Sequence, residues 1–279
     1  MTSQSMSMPG NPPSFALIPF AAPALGRLVG TPWAMSYDAG TETLPGTIAP
    51  DAHVEFVFQL GAPCAIQLDG APGQAMPAAS VYAQRHGALR LARRGANAIL
   101  AFRATPAVAT AILRRPLDEY WDRPVCLSEL IGAEAHRLLD RLAAVPVTAG
   151  VAVLESWLVA RLADWGAEQD RQLQIQRALL WRSGGVPVAA LADAFGMSDR
   201  TLRRLCARQA GLSPKQLSMS GRILRACADL VDRPSLPLAE IALRAGFGDQ
   251  PAFTNAFRHY VGMTPARLRA EPIVYCERP

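Results

Sequence analysis

The sequence predicts an α+β chain: a β-barrel-like N-terminal domain with some helices, then an all-α unit of two helix-turn-helix motifs joined by a long helix. Three observations predict it. Short alternating segments broken by Gly, Pro and Asp turns fill about Pro32 to Arg103. Helical spacing takes over near Thr105. The last third of the chain repeats itself at an interval of 50 to 51 residues.

The first 14 residues, rich in Ser, Met, Pro and Asn, are expected to be flexible. The β-rich domain follows over 15–175. His53–Leu60, Ala65–Leu68, Ala79–Tyr82 and Ala98–Phe102 read as strands, and closely spaced short strands suggest a small barrel or sandwich. Pro106–Leu113, Leu127–Ala144 and Val151–Asp164 carry apolar residues at helical spacing. A polar segment, Glu168 to Gln176, then leads to a break at Arg182-Ser-Gly-Gly-Val-Pro187. The domain boundary is expected between about 165 and 185, with the second domain over 176–279.

Half of the 279 residues are hydrophobic and 18% are charged, so a packed core is available. The formal net charge of +5 is unevenly placed. From Arg182 onward there are 14 basic and 8 acidic residues, and before it 14 basic and 15 acidic. A near-neutral part joined to a basic one fits a polyanion partner for the latter. The N-terminus lacks a basic stretch ahead of an apolar run, and no segment has the roughly 18 apolar residues of a spanning helix. The expectation is a cytoplasmic protein with no membrane partner. The five cysteines are scattered without a CxxC pair, which suggests reduced thiols and not a zinc cage.

The repeat carries the most information. Leu191-Ala192 and Gly196 recur as Ile241-Ala242 and Gly246, 50 residues on. Leu202, Cys206, Gly211 and Pro214 recur as Phe253, Phe257, Gly262 and Pro265, 51 residues on. Each unit makes sense as a helix-turn-helix, one over about 188–209 and the other over about 238–260. A short first helix carries a small Ala where a second helix crosses it, and the glycine supplies the turn. Ser198 and Asp249 stand where N-caps belong. Between the units, 216–232 forms the connecting helix, long enough to hold two reading helices about one DNA turn (~34 Å) apart.

The second helices expose polar faces. The first presents Arg200, Arg203, Arg204 and Arg208, and the second Gln250, Thr254, Asn255 and Arg258. An arginine fork matches guanine O6 and N7 or a phosphate; Asn and Gln match the adenine edge; Thr suits a thymine methyl. Lys215, Arg222 and Arg225 on the connecting helix are candidates for phosphate contacts, with Arg208, Arg258 and the capping residues Ser198 and Asp249 beside them.

The stretch from about Gly185 to Arg269 resembles the C-terminal DNA-binding domain of AraC/XylS-type transcriptional regulators. The second unit, IALRAGFGDQPAFTNAFRHYVGMTPARLR, is close to that family's signature. The resemblance implies two helix-turn-helix units, each laying its second helix in a major groove, and base reading by Arg200, Arg203, Arg204, Gln250, Thr254 and Asn255. One departure is Asn255, where many members carry a basic residue; it bears on that contact and not on the fold. The N-terminal part is similar to the β-rich sensor domains of one branch of the family, through Pro50–Phe58 and Arg123–Leu130. In that family such domains are cupin-like barrels that bind an effector, mediate dimerisation, or both. The implied partners are double-stranded promoter or operator DNA, RNA polymerase, a small-molecule effector and a second copy of the chain.

Trp33, His53, Phe56, Phe58, Tyr82 and Phe102 are the candidates for an effector pocket, or simply core. The rival view is a DNA-tethered enzyme or a metal-binding cupin. Only four histidines occur (His53, His86, His136, His259), with no HxH pair, and no G-x-S-x-G, P-loop or GxGxxG is present. The expectation is therefore no enzyme, no metal and no cofactor. Cys206 and Cys227 fall on inner helix positions and read as small hydrophobes ahead of redox sensors.

Overall fold

The computed structural model describes residues 14–40, 43–48, 53–62, 64–68, 74–83, 89–117, 119–182, 187–270 and 273–275. Residues 1–13 of the terminus expected to be flexible over 1–14, residues 183–186 of the expected break, His86 and Cys276 lie outside them, while Ser14 starts the first strand. In chain order the elements are β1 (Ser14–Leu17), α1 (Pro23–Leu28), β2 (Trp33–Asp38), β3 (Leu44–Ile48), β4 (Val54–Gln59), β5 (Ala65–Leu68), β6 (Gln74–Ala75), β7 (Ala79–Ala83), β8 (Leu89–Arg93) and β9 (Ala96–Ala104). There follow α2 (Pro106–Leu113), β10 (Arg123–Cys126), α3 (Leu127–Ile131), α4 (Ala133–Ala143), α5 (Gly150–Arg161) and α6 (Ala167–Arg177). A π-turn (Ala178–Arg182) leads to α7 (Val188–Ala194), α8 (Asp199–Ala210), α9 (Pro214–Asp232), α10 (Leu238–Arg244), α11 (Gln250–Val261), α12 (Pro265–Ala270) and β11 (Ile273–Tyr275).

Two sheets form the N-terminal part. One runs β1-β2-β9-β4-β7-β10 and is antiparallel throughout. The other runs β11-β3-β8-β5-β6, with only the β11–β3 pair parallel. The ladders stay separate, so the strands make two packed sheets where a closed barrel was expected. The six-stranded sheet is the middle layer of three. Trp33, Met35, Tyr37, Val57, Ile99 and Ala101 of its one face meet Ile48, Leu89 and Leu91 of the second sheet. Phe56, Phe58, Val81, Leu100 and Phe102 of its other face pack into the helical layer.

This sandwiching explains β4. Its alternation suggests one wet face, yet all six residues are buried. Phe56 stacks on its register partner Phe102 at 4.6 Å, with Trp157 of α5 edge-on to Phe56 at 6.4 Å. Such ring pairs are worth about 0.5–1.5 kcal/mol beyond their buried area. The polar alternates, Glu55 and Gln59, face the other sheet and find partners there. Glu55 Oε1 accepts from Trp33 Nε1 (3.2 Å) and Arg103 Nε (3.3 Å). Gln59 Oε1 accepts from Cys64 N (2.6 Å) and Asn97 Nδ2 (3.2 Å).

The helical layer differs from expectation in two places, the first being that the expected helix Leu127–Ala144 breaks at Gly132, at φ 64°, into α3 and α4. The second is the polar segment Glu168–Gln176, which is helical, as α6. Its inward residues are Leu173, Ile175 and Gln176, and Gln176 accepts from Ala107 N at 2.8 Å. Helix α2 is almost wholly buried, with Pro106 in its first turn where the missing N–H costs nothing. It touches β9, α5, α6 and α8.

Candidate nucleic-acid interface

The repeat of the sequence is a repeat of structure. Helices α7 and α10 begin at Val188 and Leu238, 50 residues apart, and α8 and α11 at Asp199 and Gln250, 51 apart. The slip is Gly248, inserted between Phe247 and the cap Asp249. Both turns use a glycine at positive φ, Gly196 at 64° and Gly246 at 84°, where any L side chain is strained. In each, the residue after the glycine returns its N–H to the first helix: Met197 to Ala192 O (3.0 Å) and Phe247 to Ala242 O (2.8 Å).

The second helices are capped as expected. Ser198 Oγ accepts from Thr201 N at 3.2 Å, and the Asp249 carboxylate accepts from Ala252 N at 2.7 Å. Their inner faces are Leu202 and Cys206 on α8, and Phe253 and Phe257 on α11, all buried. The outer faces are open. Arg200, Arg203, Arg204 and Arg208 are exposed on α8, as are Gln250, Asn255 and Arg258 on α11, with Thr254 half-buried. Arg203 Nε lies 2.8 Å from Asp199 Oδ2 one turn back, an exposed pair that aligns the guanidinium along the helix and adds little stability.

Helix α9 has 19 residues, about 28 Å, and starts with a capping box in which Ser213 Oγ accepts from Gln216 N at 3.2 Å. Lys215 is exposed in its first turn. Arg222 and Arg225 are not the outward phosphate arms expected of them. Arg222 donates to Ala245 O (3.2 Å) and to Gly246 O, with its guanidinium carbon 3.8 Å from the Phe247 ring centroid. Arg225 Nη1 donates to Leu180 O at 3.1 Å. Burial lowers the pKa of both from the usual arginine range, yet neither loses its charge. Both are structural ties because the helix ends beside them leave carbonyls without helical partners. Asp249 likewise spends its carboxylate on its own helix, and its charge repels a phosphate.

The first unit is joined to the N-terminal part. One continuous core runs from Phe20 to Leu217, taking in Leu191, Leu202 and Cys206. A separate core holds the second unit and the later turns of α9. Hydrogen bonds reinforce the junction: Thr110 Oγ1 to Gln209 O (3.0 Å), Gln176 Nε2 to Gln209 Oε1 (3.3 Å), and Arg171 Nη2 to Phe195 O (2.9 Å). Sequence reasoning missed these residues, since isolated Thr, Gln and Arg side chains carry no periodic signal.

Between the two sheets lies a cavity of about 40 Å³, room for roughly three waters. Of the effector-pocket candidates only Trp33 and Tyr82 line it, along with Glu55, Gln59, Cys64 and Arg93. Phe56, Phe58 and Phe102 point to the opposite side, because they sit in the strand positions that face the helical layer. His53 is half-buried just ahead of β4 and does not line the cavity. Burial raises the Cys64 thiol pKa, and the Cys206 thiol is pushed up to about 12. Among the described residues no group of three or more His, Cys, Asp and Glu converges as metal ligands would. No helix among them is long and apolar enough to cross a membrane.

Comparison with known proteins bears on the C-terminal third. A family model described as a helix-turn-helix domain matches residues 191–271. The Msm operon regulatory protein of Streptococcus mutans is 32% identical over 81 residues, 29% of either chain. The transcriptional activator RhaS of Citrobacter koseri is 34% identical over 80 residues, 29% of this chain and 28% of that one. The chain thus aligns with under a third of the length of these relatives. A crystal structure of a transcriptional regulator with an AraC-type DNA-binding domain from Chromobacterium violaceum is 26% identical, covering 38% of this chain and 95% of that one, with a TM-score of 0.34. Residues 191–271, which hold the paired helix-turn-helix units α7–α8 and α10–α11, are matched by that helix-turn-helix family model.

Proposed function

We propose that the chain is a sequence-specific, DNA-binding transcriptional regulator of the AraC/XylS type. The observation that carries this reading is the pair of capped second helices, α8 and α11, each buried on one side and open on the other. α8 offers Arg200, Arg203 and Arg204, and α11 offers Gln250, Thr254 and Asn255, donor and acceptor types suited to base edges in successive major grooves. Arg208, Arg258, Lys215 and the Ser198 hydroxyl supply backbone contacts.

A sensor or dimerisation role falls to the two packed sheets of the N-terminal part, whose facing sides enclose a small cavity. The small inter-sheet cavity, with Glu55 and Arg93 in its wall, is where an effector would enter by spreading the sheets. Functionally the chain divides into 15–175 and 176–279, and the regulator acts in the cytoplasm without enzymatic activity. RNA polymerase and a second copy of the chain are its further partners.

The test is replacement of Arg203 and Arg204 by Ala. Binding to a duplex selected from random sequence by the wild-type chain should weaken by about 1–3 kcal/mol for each base-reading arginine lost, with relaxed preference at the bases they read. Unchanged binding across salt concentrations would remove α8 from the interface.

A further inference from the structure

A cleft of about 820 Å³ opens between the end of α2, α6 and the outer side of α8. Arg114 and Arg115 line it from the N-terminal part, and Arg204 and Arg208 from α8; among the described residues Glu168 is the only carboxylate in its wall. All four arginines are exposed. Four like-charged side chains around one concavity favour an anion there. Resting on the assignment of α8 to DNA, we propose that Arg114 and Arg115 grip the phosphate backbone of the strand flanking α8, so that the N-terminal part itself belongs to the DNA interface.

Three features favour backbone phosphate as the occupant. First, Arg204 and Arg208 belong both to the cleft and to the outer face of α8. A helix lying in a major groove about 12 Å wide has a sugar-phosphate strand along each flank, and the cleft is one such flank. Second, the two arginines are held in register with α8. The Thr110 hydroxyl, one turn ahead of Arg114, bonds the Gln209 carbonyl at 3.0 Å, and the Gln172, Gln176 and Gln209 side chains are linked by hydrogen bonds. α2, α6 and α8 therefore present their charges as one unit. Third, Arg114 ends α2 in the left-handed region, at φ 56°, which turns the chain out of the helix at the rim of the cleft. Its ion pair with Asp164, at 3.8 Å between exposed groups, is weak enough to yield to phosphate. Arg115 Nη1 spends two long contacts, 3.4 Å each, on Tyr120 Oη and Glu129 O, which leaves its other donors for an anion.

The experiment uses the full chain and two fluorescent duplexes of equal length, one selected from random sequence by the wild-type protein and one unselected. Affinity is measured from 50 to 300 mM salt for wild type, Arg114→Ala/Arg115→Ala and Arg114→Lys/Arg115→Lys. The alanine pair should weaken both duplexes alike, on the order of tenfold, and flatten the log–log salt slope by about two. Selectivity between the duplexes should persist, and the lysine pair should recover most of the slope. An unchanged slope in the alanine pair overturns the proposal. So does a loss confined to the selected duplex, or thermal stabilisation of wild type but not the alanine pair by inorganic phosphate with DNA binding unaffected; that last result marks a small-anion site. An Arg204→Ala control distinguishes the two levels. If that change weakens binding and the Arg114/Arg115 change does not, only this inference falls. If Arg204→Ala leaves the binding of both duplexes unchanged, the DNA assignment of α8 falls with it.

Discussion

A Cβ added to Gly221 would stand 1.8 Å from the carbonyl oxygen of Leu180, so only glycine lets α9 lie against the π-turn. The same carbonyl accepts from Arg225 Nη1 at 3.1 Å, one turn along α9. These contacts set where the connecting helix leaves the N-terminal part, and hence the position of the second unit relative to the first. Gly221→Ala should push α9 off the turn and lower the unfolding free energy by about 1–3 kcal/mol or more, as overpacking does. Urea denaturation is the check, and a midpoint equal to wild type would show that the close approach is not maintained.

Arg222 ties the same helix to the second unit. It bonds the carbonyls of Ala245 and Gly246 and lies over the Phe247 ring. Charged hydrogen bonds and a half-buried cation–π contact together predict a loss of about 2–4 kcal/mol for Arg222→Ala. The salt slope of DNA binding should stay at the wild-type value. A shallower slope with full stability would return Arg222 to the phosphate contacts.

The contrast between these residues shows what the sequence makes legible. The two units were readable because their logic is local: a glycine at positive φ, a capping Ser198 or Asp249, and an apolar pair such as Leu202 and Cys206 three to four residues apart. Arg222 and Lys215 look alike in the sequence, and only the nearby end of α10 separates the buried tie from the exposed charge. The face of β4 is a similar case. Alternation puts Phe56 and Phe58 together and Glu55 opposite, but whether a strand face meets a helix or a second sheet is set by elements distant in sequence. That is why the aromatic candidates divide, Trp33 and Tyr82 to the cavity and Phe56, Phe58 and Phe102 to the helical core. Helix α6 was hidden because its junction rests on Gln176 and Gln209, whose amides are buried through hydrogen bonds and not through periodic apolarity.

Glu55 and Arg103 form the charged pair at the inter-sheet face, and both are buried. Glu55→Leu withdraws the acceptor of both Trp33 Nε1 and Arg103 Nε and should cost about 3–5 kcal/mol. Adding Arg103→Met should recover part of that loss, since an apolar pair avoids desolvating a charge. The measurement is a double-mutant cycle in urea. Strict additivity would show that the two side chains are uncoupled.

Burial pushes the Cys206 thiol up to about 12 from an ordinary value of 9.0, so the folded state holds it protonated. At pH 8 iodoacetamide should therefore leave Cys206 unmodified in the native protein and label it once urea unfolds the chain. The sign for stability follows from the raised value. The favourable contribution is complete below pH 9, where the thiol is protonated in both states. It is lost as pH rises toward 12, because the unfolded thiol ionises first. The stability difference between wild type and Cys206→Ala should shrink over that window by up to a few kcal/mol. A difference that stays constant from pH 8 to 11, or rapid native labelling at pH 8, would mean the α8 core opens far more readily than its packing against α2 allows, and a redox role for Cys206 would then follow.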